Sequence, residues 1–156
     1  MKADTRAISR FIGTNWPKAV AALKEVDAFL KEHPDVPTWL RRRFDDIRKR
    51  IETIPQRRGD AAKIRAMLDI VRTEARDFEA QGGHRIDAAS WAQRADNLER
   101  RVRLAEVLNQ PEQRTALARL RAEADALVGD LIDATATVQS LPAPATEGEQ
   151  PAPEAP

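Results

Sequence analysis

Side chains that can move protons, hold metals or attack electrophiles are sparse in this 156-residue chain. Its two histidines, His33 and His84, each sit in a connector, one before Pro34 and the other after Gly82-Gly83. Neither has a partner at metal-ligand spacing. The absence of cysteine removes thiolate nucleophiles, thiolate zinc sites and disulfides together. A di-metal helical bundle needs inward-facing glutamates and a Glu-x-x-His pair, and the sequence has neither. HExxH, GxGxxG, GxxxxGK[ST] and GxSxG are missing too. Asp69, Glu74, Asp77 and Glu99 stand at helical spacings from arginines, the arrangement of surface ion pairs. The sequence therefore nominates no catalytic, cofactor-binding or metal-binding residue, and the expectation is a protein that acts without chemistry.

Binding is the alternative, and the stretch WLRRRFDDIRKRI, residues 39–51, concentrates six basic side chains. At 100° per residue, Leu40, Phe44, Ile47 and Ile51 share one face, which must be core. Asp45, Asp46 and Glu52 lie four residues from Arg41, Arg42, Arg48, Lys49 or Arg50 and compensate part of the charge. The uncompensated part includes Arg43 and Arg50 together with Arg57 and Arg58 in the following turn, and with Arg42 and Lys49 these make a candidate anion-binding patch. Nucleic acid, an acidic protein or a lipid headgroup surface would suit it. Its plain alternative is a solvated helix face. Trp39 falls on the flank with Arg43, where the indole either stacks on the guanidinium or folds back on the His33–Pro37 connector. Arginine outnumbers lysine 20 to 6, a bias that favours bidentate phosphate contacts. Base-specific reading is not expected. The segments are too long for a helix-turn-helix, and three Trp and four Phe, mostly on core stripes, leave few rings for stacking.

The elements that must position these residues follow from apolar spacing. Five successive segments repeat apolar residues at steps of three and four. The first, from about 15 to 32, carries Trp16, Val20, Leu23, Val26 and Leu30; Thr14 or Asn15 would cap it, and Pro17 suits its first turn. Pro34 and Pro37 end it. The second, from about 36 to 54, carries Val36, Leu40, Phe44, Ile47, Ile51 and Ile54. The third opens with Asp60 as N-cap and carries Ile64, Leu68, Val71, Ala75 and Phe78, stopping at Gln81-Gly-Gly83. The fourth begins near Asp87 and carries Trp91, Ala95, Leu98, Val102 and Ala105. The fifth runs from about 111 to 138 with Leu117, Leu120, Ala124, Leu127, Leu131, Ala134 and Val138. Several stripes keep a step near 3.5 residues, the coiled-coil spacing. Short connectors then make an all-α bundle of about five helices. The fifth helix, the longest, offers Leu117, Leu120, Leu127, Leu131 and Val138 as a seam for a partner helix or a second copy of the chain.

Charge shifts along the chain. Residues 1–58 carry 14 Lys/Arg against 8 Asp/Glu, residues 59–121 carry 12 against 10, and residues 122–156 carry none against 7. From 140 to 156 the composition turns to Pro, Ala, Glu, Gln, Gly and Thr, too little to bury, so this reads as a disordered acidic tail after a bundle domain at 15–139. Residues 1–14 read as a weakly structured segment. There Ile8, Phe11 and Ile12 among Lys2, Arg6 and Arg10 could touch an anionic membrane, but three apolar residues make a weak anchor, and packing onto the bundle is the stronger expectation. No run of about 18 apolar residues occurs, which points to a soluble, cytoplasmic chain. The resulting expectation is an interaction or scaffold module that binds a protein partner or itself through helices. Weak electrostatic binding of nucleic acid or an anionic surface is its rival.

Overall fold

The computed structural model describes residues 15–81 and 86–140, the last four of these for backbone only. The readings made for residues 1–14, for His84 and for the tail after 140 lie outside them. Among the described residues five α-helices are complete: α1 Pro17–Glu32, α2 Thr38–Glu52, α3 Asp60–Gln81, α4 Ala88–Glu106 and α5 Gln110–Ser140, with a 3-10 turn at Ile54–Gln56. No strand occurs among the described residues. The chain is an all-α bundle, and none of these helices is long and apolar enough to cross a membrane.

The ends of the helices show how local chemistry sets the boundaries. Asp87 precedes α4 and its carboxylate accepts the Ser90 N–H at 3.3 Å, the N-cap that the sequence implies. Gly59, at φ +84°, makes the turn into α3, and its carbonyl accepts the Lys63 N–H at 3.2 Å. Asp60 is therefore the first helical residue rather than the cap. At α1 the cap position is Trp16, which makes no side-chain capping bond. The open N–H groups of Lys18 and Ala19 donate instead to Asp125 of α5, at 3.0 and 2.9 Å. The far end of α1 is closed by α2, where the Arg41 guanidinium donates to the carbonyls of Leu30 at 3.2 Å and His33 at 2.9 Å. Those are the carbonyls a helix C-terminus leaves without intrahelical donors.

Core positions follow the stripes. Trp16, Leu23 and Val26 of the first segment, Leu40, Phe44, Ile47 and Ile51 of α2, and Ile64, Leu68, Val71, Ala75 and Phe78 of α3 are buried together with Ala95, Leu98, Val102 and Ala105 of α4. Helix α3 packs on both α4 and α5, α1 lies along α5, and α2 spans α1 and α3. Gly129 of α5 marks a close approach to α1: a Cβ there would sit 3.2 Å from the Lys18 carbonyl oxygen. Trp39 turns toward α3. Its ring meets Phe78 edge-on, with centroids 6.3 Å apart, which extends the core by one more aromatic.

The seam on α5 is not an open face. Leu117, Leu120, Leu127 and Leu131 are all buried in the chain's own core, as are Val128 and Ile132 beside them, because α1, α3 and α4 all pack on this helix. The Val138 side chain lies outside what is described. A helix that touches three neighbours needs apolar residues around most of its circumference, so a stripe read alone could not separate inner packing from an outer seam.

Candidate interaction surfaces

Of the six basic residues nominated on and after α2, two are engaged across helices. Arg43 reaches Asp77 of α3 at 2.5 Å and Asp46 of its own helix at 3.0 Å, and stands 3.7 Å from Glu74. Arg50 donates to Glu74 at 3.3 Å. Glu74 is 1% exposed, so it belongs to no surface pair. Burial pushes its carboxyl above the usual range, Arg43 and Arg50 pull it back, and Asp77 and Asp46 add to the rise. An anion approaching the shallow groove formed by Arg43, Asp46, Lys49, Arg50, Thr73, Glu74 and Asp77 meets three cations and three carboxylates, close to electrical balance. Arg43 and Arg50 are therefore tethers between α2 and α3.

Nor do the local pairs expected along α2 form as spaced. Arg43–Asp46 and Arg48–Asp45, at 3.0 and 3.1 Å, are three residues apart. None of the expected four-apart pairs closes to within salt-bridge distance among these described residues. The long side chains reach other helices instead: Arg48 pairs with Asp27 of α1, and Arg41 holds the α1 carbonyls. Arg42, Lys49, Arg57 and Arg58 stay exposed and form no ion pair with a described residue. The candidate anion patch contracts to these four.

A second surface was missed by the stripes. Among the described residues, the large hydrophobic side chains left in solvent are Leu104 at 68%, Val107 at 81% and Leu108 at 42%. All three stand where α4 ends and the chain turns into α5. Between the two helices lies a groove of about 260 Å³ lined by Arg101, Leu104, Ala105, Leu108, Ala116, Arg119 and Leu120. Ala105 and Leu120 form its floor, since both are buried, and Leu104 and Leu108 its apolar rim. Arg101 is locked to Glu123, one of its bonds being 2.8 Å, and Glu106 is taken by Arg65 of α3. Arg114 and Arg119 are exposed and form no ion pair with a described residue. The signal was present in the sequence: Leu104, Val107 and Leu108 are apolar residues that fall off the α4 stripe.

A groove of this size is smaller than the roughly 300–1,000 Å³ of ordinary small-molecule sites, and it suits one or two side chains of a partner. His33 lies against Phe29, ring centroids 4.3 Å apart. Among the described residues, no group of three or more His, Asp or Glu side chains converges as metal ligands would. No protein-family model, curated protein or solved structure matches this chain.

Proposed function

We propose that this chain is a non-catalytic, cytoplasmic interaction module that docks a protein partner through the end of the α4–α5 hairpin. The observation that carries the reading is the clustering of Leu104, Val107 and Leu108 in solvent beside a groove, while the α5 leucines are consumed in the core. Exposed apolar side chains grouped at one place mark contact surfaces, and buried ones cannot. The test is a pair of variants, Leu104→Glu and Val107→Glu, compared with wild type in crosslinked pull-down from the native cells and in light scattering over a wide concentration range. Loss of a partner or of self-association in both variants, with unchanged circular dichroism and Tm, supports the reading. Unaltered partners and an unaltered oligomeric state would remove it, and fractionation of the same cells checks the cytoplasmic address.

A second reading rests on Arg42, Lys49, Arg57 and Arg58, which are exposed and not ion-paired with described residues. These four support weak, sequence-independent binding of nucleic acid or another polyanion, with affinity that falls steeply with salt. Replacing all four with Ala should lower the salt concentration needed for elution from heparin. Unchanged retention rejects this patch.

A further inference from the structure

Taking the hairpin end as the docking face, we infer that its occupant is an amphipathic helix of a partner protein whose flanks are acidic. From α4 the groove takes Arg101, Leu104 and Ala105, at steps of three and four on one helix face, and from the turn that follows the helix it takes Leu108. Facing it on α5 are Ala116, Arg119 and Leu120. Two antiparallel helices with small residues between larger ones leave a furrow, and a third helix fills such a furrow by inserting apolar side chains at matching steps.

Charge selects the flanks. Residues 99–123 hold six arginines against four acids, Glu99, Glu106, Glu112 and Glu123, which leaves a net positive charge; Glu123 is held by Arg101. Glu106 is already paired with Arg65, and the acid nearest Arg103 is Glu99 at 3.7 Å. Arg119, which lines the groove, remains exposed. An incoming helix with Asp or Glu beside its apolar face would complement this field, whereas a second copy docking by the same patch would bring arginines against arginines. An anionic bilayer would also answer the charge, but the furrow supplies a shape that a bilayer does not use.

A displayed library of helical peptides, with randomised apolar and flanking positions, tests this against the full-length chain, with Leu104→Glu/Leu108→Glu as counter-selection. The expected outcome is enrichment of sequences with apolar residues at steps of three and four and net negative flanks. Resynthesised winners should bind the wild type roughly tenfold or more tighter than the counter-selection protein, weaken as salt is raised, and lose affinity when Arg119 is changed to Glu. Winners with neutral or basic flanks that still need Leu104 would overturn the acidic occupant while leaving the docking face in place. Equal enrichment on the wild type and on Leu104→Glu/Leu108→Glu overturns the helix occupant. In that case, self-association lost in Leu104→Glu assigns the groove to a second copy, and binding to phosphatidylserine vesicles lost in the same protein assigns it to a membrane. Enrichment that appears only after Glu147, Glu149 and Glu154 are changed to Gln assigns it to the chain's own terminal segment, against the partner proposed.

Discussion

Asp125 caps α1 from across the bundle. Its two carboxylate oxygens take the N–H groups of Lys18 and Ala19, where a negative charge also faces the positive end of the helix dipole. Asp125→Ala leaves two N–H groups without acceptors, one of them buried, at a cost of about 1–3 kcal/mol; urea denaturation checks it, and a loss under about 0.5 kcal/mol would mean that the bonds contribute little. Burial raises both the Asp125 and the Glu74 carboxyl above their ordinary values, against the hydrogen bonds and arginines that pull them down. A carboxyl raised in the folded chain holds its proton more tightly there than in the unfolded chain. Stability therefore falls as pH rises from the usual carboxylate range through the raised folded value, and stays lower above it. Glu74→Gln removes one share of that dependence, so urea midpoints between about pH 4 and 7 should drift less in this protein than in wild type; equal drift would show that Glu74 contributes none of it. The cap at Asp87 was legible because its partner is three residues away. Asp125 was not, because its partners are 106 and 107 residues away and no local pattern distinguishes it from the exposed acids of α5.

At the scale of helices, the apolar stripes set the inward faces because burial forces apolar residues into the helical period. Phe44, Ile47 and Ile51 or Leu68, Val71 and Ala75 could hardly point elsewhere. Two things at this scale escape a stripe. One is how many neighbours a helix has: α5 has three, so its leucines face inward all along the described length. The other is close approach, which depends on a side chain being absent. Gly129 lets the backbone of α1 come near, and a Cβ would meet the Lys18 carbonyl carbon and oxygen at 3.3 and 3.2 Å. Gly129→Val adds branched bulk against rigid backbone and should destabilise by about 1–3 kcal/mol, despite the gain in helix propensity over glycine. A valine protein as stable as wild type in urea would show that α1 and α5 can part at no cost.

Across the whole molecule, arginine joins each helix to the next. Arg48 ties α2 to Asp27, Arg43 and Arg50 tie α2 to α3, Arg72 bridges α3 to Asp96 at 2.8 Å and Glu99 at 2.5 Å, and Arg94 and Arg101 reach Asp130 and Glu123 on α5. This gives a physical role to the arginine excess, which in sequence resembled a preference for phosphate. A planar, forked guanidinium can serve two carboxylates at once, and an ammonium does so less well. Changing Arg43, Arg72 and Arg101 together to Lys keeps the charge yet should cost about 1–2 kcal/mol, since half-exposed pairs contribute about 0.2–1 kcal/mol each. A Tm equal to wild type would show that charge alone suffices. The same engagement explains why Arg43 and Arg50 do not stand free on α2: Glu74 and Asp77, which meet them, come from another helix.

The hold of Asp125 on α1 also bears on the order of events in time. A nascent chain extrudes α1 before α5, and the acceptor for the opening turn of α1 emerges more than 100 residues later. Closing so long a loop carries an entropic cost that nearby contacts do not, so α1 and α5 should join after the barrier to folding has been crossed. Asp125→Ala would then speed unfolding and leave the refolding rate nearly unchanged. Stopped-flow fluorescence from Trp16, with Trp39 and Trp91 replaced by Phe, reads both rates. Refolding slowed in proportion to the lost stability would place that closure inside the barrier; an unchanged refolding rate would mean that α1, although made before α5, is secured only after the barrier.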